Sequence, residues 1–229
     1  MNLDAHYSNI AQPSLEKIKN NQYEIDELIE NLDDSRRGLT VLARPNEEVK
    51  SKFQYFISKL RLIEPEQYYY PNSDIHTTIL SIISCYPDFS INDISTTEYI
   101  EVINKSINEI PSFTIQYRGA ILSPAGIIIK GYPENNILQE LRTRLRQDFK
   151  KSHLEQSLDK RYTLQTAHST IMRFSNPIKQ KDKLIQLVNE FNEHDFGSFK
   201  VKNIEFVFND WYQKSKNTQK LADFQLIGG

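Results

Sequence analysis

The chain has 229 residues, 25% of them charged, and a formal net charge of −2. That balance excludes a protein that coats a long nucleic-acid duplex by neutralising its phosphates. Hydrophobic residues make up 38% and glycines number only 7, which excludes collagen-like and low-complexity architectures. No apolar run approaches the roughly 20 residues of a membrane helix, and residues 1–20 carry no apolar signal core. The lone Cys85 cannot form an internal disulfide. A reducing, cytoplasmic setting without a membrane partner is expected.

In chain order, residues 14–32 carry Leu15, Ile18, Ile25, Leu28, Ile29 and Leu32 at three- and four-residue spacing, which predicts a helix starting at Pro13-Ser14. A short apolar strand is expected over 38–43, stopped by Arg44-Pro45, then an amphipathic helix over 47–62 and a tyrosine-rich loop over 64–74. The β-branched segment 75–83 reads as a strand. A helix over 96–109 precedes two strands, 113–122 and 126–132, joined by a Ser-Pro-Ala-Gly turn. A helix over 134–151, a polar connection, a strand over 166–174, a helix over 180–193 and strands over 201–209 and 222–227 complete the chain. Strand, helix and histidine-bearing strand thus occur twice, as in two αβ lobes with weak internal duplication.

Those two strands read His76-Thr77-Thr78-Ile79 and His168-Ser169-Thr170-Ile171. Side chains alternate with period two along a strand, so His76 shares a face with Thr78, and His168 with Thr170. Each strand presents an imidazole beside a hydroxyl. That is what a phosphate diester requires: a proton-transfer group next to a donor for a non-bridging oxygen. The other histidines, His6, His153 and His194, lie in polar or charged stretches and read as surface residues.

Paired in this way, the motifs resemble those of the 2H phosphoesterase superfamily, which includes 2′-5′ RNA ligase-like proteins and cyclic phosphodiesterases. The resemblance covers about residues 38–227. It implies an α+β, bilobal fold with two mainly antiparallel sheets flanking a central cleft and helices outside. Residues 1–35 are then an N-terminal helical extension, and 36–229 a single bilobal domain. It also implies a phosphodiesterase without metal or cofactor, acting on a cyclic phosphate or a 2′-5′ linked (oligo)nucleotide, with a nucleotide or short RNA as substrate. His76 and His168 are the expected acid and base, in an order left open, and Thr78 and Thr170 the phosphate-binding groups. Unperturbed imidazoles, at about 6.5, make one neutral and one cationic ring accessible near neutral pH.

Arg173 matches a basic residue that several members carry after the second motif. Strict alternation places it on the face opposite His168, so it is left outside the primary site. Arg142, Arg144 and Arg146 read as a solvated helix face. The tyrosines at 68–70, Tyr132, Trp211 and Tyr212 are candidates for base stacking, with packing as the plainer role. Two alternatives remain: a nucleotide or RNA-end binding module that uses the same cleft without turnover, and a metal site begun by Asp74 and His76.

Overall fold

The computed structural model describes residues 2–160 and 163–229; part of the polar connection before the second motif, residues 161 and 162, lies outside them. Among the described residues there are five α-helices, α1 Leu3–Lys19, α2 Glu47–Ile63, α3 Thr96–Ile107, α4 Ile137–Lys151 and α5 Lys181–Glu190, and nine strands. The strands are β1 Arg37–Ala43, β2 Tyr68–Tyr69, β3 Thr77–Tyr86, β4 Phe113–Ser123, β5 Gly126–Pro133, β6 Ser169–Arg173, β7 Asp195–Val201, β8 Asn203–Asp210 and β9 Gln219–Gln225. They form two antiparallel sheets, ordered β3-β1-β8-β9 and β2-β6-β5-β4-β7. This is the bilobal α+β architecture expected from the motifs. Among the described residues no helix is long and apolar enough to cross a membrane.

Each lobe contains a strand–helix–strand unit whose two strands pair antiparallel: β1-α2-β3 in one and β5-α4-β6 in the other. The helices cross over. α2 leaves the four-stranded sheet to pack on β6 and β7, and α4 leaves the five-stranded sheet to pack on β3. One continuous apolar core therefore spans both lobes, from Leu39 and Ile79 to Ile171 and Phe196. The local signals are ordinary. Asn46 caps α2 by accepting from the Val49 N–H at 3.0 Å, and Glu47 and Glu48 sit in the first turn, where the helix dipole favours acids.

The predicted helix over 14–32 is not formed. α1 runs from Leu3, capped by Asn2, to Lys19, with Pro13 inside it. The Ser14 hydroxyl donates to the Ile10 carbonyl in the turn around that proline. Asn21 then adopts a left-handed φ of 56°, which stops the helix. Residues 23–34 run as an irregular strap, tied down where Glu24 and Asp26 donate backbone N–H groups to the Pro124 and Phe174 carbonyls. The apolar spacing spans two unrelated segments. Ile18 and Ile29 are buried, whereas Leu32 is 88% exposed. Strand β7 is an element the sequence does not announce, because Asp195, Gly197 and Ser198 dilute its β signal.

The lobes are joined at the middle residues of the two motifs. Thr77 and Ser169, both completely buried, bring their hydroxyl oxygens to 3.0 Å. The Ser169 hydroxyl donates to the His76 carbonyl at 2.8 Å, so Thr77 must donate to Ser169. The Tyr117 hydroxyl, 2.5 Å from Thr77 Oγ1, must then donate to Thr77. Each hydroxyl has one proton, and the chain is fully directed: Tyr117 to Thr77 to Ser169 to the His76 carbonyl. Thr77→Val strands the neighbouring hydroxyls and is expected to cost about 1–3 kcal/mol in denaturant unfolding. Thr77→Val and Ser169→Ala should be strongly non-additive in a double-mutant cycle, and strict additivity would refute the chain.

Candidate active site

Burying Thr77 and Ser169 forces their neighbours outward. His76, Thr78, His168 and Thr170 are all partly exposed and line one cleft of about 140 Å³ with Thr40, Tyr70, Ser81, Cys85, Arg173, Asn209, Trp211 and Gln213. All four residues singled out from the sequence are thus brought together. His153 and His194 are exposed elsewhere. His6, read as an ordinary surface residue, instead lines an adjoining groove of about 540 Å³ that shares His168, Thr170 and Arg173 with the cleft.

Arg173 corrects the strict alternation. In the β5–β6 ladder Ile128 pairs with Thr170 and Ile127 with Met172, so Ile171 is an extra, bulged residue. Ile171 and Met172 are both buried, and Arg173 returns to the face of His168 and Thr170. The same irregularity occurs in the other lobe. Leu42 pairs with Thr78 and Val41 with Leu80, so Ile79 bulges and Ser81 returns to the cleft. The fingerprint is therefore His-x-Thr-Ile-apolar-polar in both copies. The adjacent apolar pair after each threonine is the sequence signal for it. Arg173 Nε donates to the Tyr70 hydroxyl at 3.0 Å, and its Nη1 lies 3.6 Å from Asp26 on the strap.

Arg142 is a second correction. It is 1% exposed, not on a solvated face. Its guanidinium donates to the carbonyls of Ile79 (2.8 Å) and Thr78 (2.9 Å) in one lobe, and of Thr166 (2.7 Å) and Gln165 (3.2 Å) in the other. It has no carboxylate partner within ion-pair distance among the described residues. Burial draws its pKa down to about 10, so it remains cationic at neutral pH.

The imidazoles are held differently. His76 Nδ1 lies 2.7 Å from the Asp74 carbonyl, an acceptor only, so Nδ1 carries the proton and Nε2 is left with its lone pair. His168 Nδ1 lies 2.6 Å from the Thr166 hydroxyl, which can donate or accept. Desolvation pushes His76 down to about 4, with Arg44 and Arg173 adding to the effect against the Asp74 carbonyl. Desolvation also pushes His168 down to about 4, assisted by Arg142, His76 and Arg173. Contrary to the expectation from unperturbed values, desolvation and the neighbouring cations favour the neutral form of both rings at pH 7.

The metal alternative loses its starting pair. Asp74 Oδ1 accepts from Ser73 Oγ at 2.7 Å and from the Ser215 N–H at 2.9 Å, and the residue lines a separate hollow, not the histidine cleft. Among the described residues no group of three or more His, Cys, Asp and Glu is placed to hold a metal ion. Of the aromatic candidates, Tyr70 and Trp211 line the cleft. Tyr69 is occupied with the Glu64 carbonyl, Tyr132 with Asp4 and Tyr212 with Asp26.

No family model matches the sequence, and no curated protein sequence matches it. The fold does have solved counterparts. TT0787 of Thermus thermophilus superposes with a TM-score of 0.63 at 17% identity, over 83% of this chain and 98% of that one. Escherichia coli LigT in complex with 3′-AMP gives 0.57 at 12% identity over the same shares. A phosphoesterase gives 0.50 at 13%, again over 83% and 98%. The chain therefore shares the fold of these three proteins.

An imidazole pKa lower in the folded than in the unfolded chain means that the unfolded state binds more protons between about pH 4 and 6.5. Stability is then full above that window and falls as pH falls through it. Histidine NMR titrations are expected to show two apparent pKa values well below 6.5, belonging to the pair. Ordinary titration of both rings near 6.5 would refute the burial argument.

Proposed function

We propose that this chain is a 2H-type phosphodiesterase that acts on a cyclic phosphate or a 2′-5′ linked (oligo)nucleotide by two-histidine acid–base catalysis. The observation that carries the reading is that His76, Thr78, His168 and Thr170, from two lobes, line one cleft together with a cation, Arg173. Solved structures of the same fold include a protein called a phosphoesterase and LigT complexes with 3′-AMP, phosphate and ATP, which favours a nucleotide ligand here.

In this reading the phosphodiester lies between the two imidazoles. His76, whose Nε2 lone pair is free, takes the proton from the attacking water or ribose hydroxyl, and its Nδ1–H bond to the Asp74 carbonyl stabilises the imidazolium that forms. His168 protonates the leaving oxygen. Thr78, Thr170 and Arg173 hold the non-bridging oxygens, where negative charge increases in the transition state. The anionic phosphate also raises both depressed imidazole pKa values on binding, so the substrate helps to charge His168. A general acid or base contributes about 10²–10⁴-fold, whereas a simple binding module would lose only affinity on histidine removal.

His76→Ala and His168→Ala are each expected to lower kcat by about 10²–10⁴-fold on 2′,3′-cyclic nucleotides or 2′-5′ dinucleotides, assayed with EDTA present. Sulfur departs without a proton, so a substrate with a sulfur leaving atom should restore His168→Ala but not His76→Ala. Restoration of the opposite variant would reverse the two roles. The kcat/KM profile, which reports the free enzyme, should be a bell centred on the acid side of pH 6.5, with the kcat bell shifted upward by the bound anion. A kcat/KM maximum above pH 7 would contradict the assignment.

A further inference from the structure

Two buried carbonyl oxygens of cleft-lining residues, Asn209 Oδ1 and Gln213 Oε1, have no hydrogen-bond partner among the described residues. Both residues line the cleft beside the histidines, and they are only 2% and 4% exposed. Buried polar atoms are nearly always paired, and two unpaired acceptors in one cleft call for an explanation. Reversing the Asn209 amide does not supply one. Its Nδ2 already donates to the Asp210 carbonyl at 2.8 Å and to Cys85 Sγ at 3.7 Å, so the orientation is set and the oxygen is left over.

The backbone that carries Gln213 is also unusual. Its φ is 59°, in the left-handed region where glycine or asparagine is the ordinary choice. The turn is held there by the buried Asp210. Its Oδ1 accepts from the Tyr212 and Lys214 N–H groups, each at 3.0 Å, and its Oδ2 from Asn217 at 2.8 Å. A rigid turn thus presents a long amide side chain, from a strained backbone position, next to the partly exposed Trp211 ring. Strain of this kind is retained where the side chain has work to do.

We propose that Asn209 and Gln213 form an acceptor pair for N–H or O–H donors on the nucleoside whose phosphate sits between His76 and His168. The inference rests on the phosphodiester reading and narrows its substrate class to nucleotides over simple sugar phosphates. Neither oxygen is open to solvent, so a donor is engaged as the Gln213 side chain rotates and relieves an unpaired acceptor, while the Asn209 amide keeps the orientation its Nδ2 bonds set. A ligand lacking donors leaves both acceptors unpaired and is rejected on that account. The donors are either the amino group of the base or the ribose hydroxyl, and the two are separable by analogue.

The test is calorimetric titration of the full chain and its Gln213→Gly and Gln213→Met variants with adenosine 3′-monophosphate and with inorganic phosphate. Glycine accommodates the φ, methionine keeps the length, and thermal melting verifies that each variant folds. Both variants should bind the nucleotide at least about tenfold more weakly, the worth of a lost buried hydrogen bond, with phosphate affinity within about twofold of the parent. In the parent chain, weakening confined to the 2′-deoxy analogue assigns the donor to ribose. Weakening confined to an analogue without the 6-amino group assigns it to the base. Unchanged nucleotide affinity in both variants, or equal weakening for nucleotide and phosphate, overturns the proposal. So does a parent chain that binds phosphate but no nucleotide, a result that leaves the phosphodiester reading standing. Failure to bind either ligand removes both.

Discussion

Three hydroxyls, those of Tyr117, Thr77 and Ser169, pass hydrogen bonds in one direction to the His76 carbonyl and hold the two lobes in register. The middle residue of each motif is therefore part of the join, not a spacer. With that residue turned into the core, period-two geometry turns the flanking imidazole and threonine hydroxyl into the cleft. Arg142 reinforces the join from α4 by gathering carbonyls of both motif segments around one guanidinium. A one-residue slip in either strand would bury a histidine and expose a core hydroxyl, which is why the register is so strongly constrained.

The electrostatics follow from the same packing. A nearly neutral protein concentrates Arg142, Arg173 and Arg44 around two partly buried imidazoles. None of these cations is balanced by a carboxylate in the cleft lining, although Asp26 and Glu205 pair with Arg173 and Arg44 outside it. Desolvation, assisted by this field, favours the neutral form of both histidines, and the field itself favours an anion as ligand. Net charge alone conceals this, since it is a sum over a surface on which most ions are exposed and far from the site.

Much of the architecture is legible in the chain. α2, α3, α4 and most strands fall close to their expected bounds because apolar periodicity and turn residues agree there. The failures have physical causes. The helix expected over 14–32 joins apolar residues belonging to α1 and to the strap, and the asparagine that separates them acts through a left-handed backbone that composition does not reveal. Arg142 looks like one more charge on a basic helix face. Only the arrival of carbonyls from two other segments makes its position buried.

The His-x-Thr pair was enough to place His76, Thr78, His168 and Thr170 on a common kind of face, because alternation along a strand is a property of the local backbone. The sequence therefore determined which side chains share a face. It could not determine what depends on pairing between distant segments. The bulges at Ile79 and Ile171 bring Ser81 and Arg173 back to the cleft, and the turn after β8 places Asn209, Trp211 and Gln213 in the same cleft as the motifs. Those positions, and the depressed imidazole pKa values, arise only when desolvation and neighbouring charge are set by the folded chain.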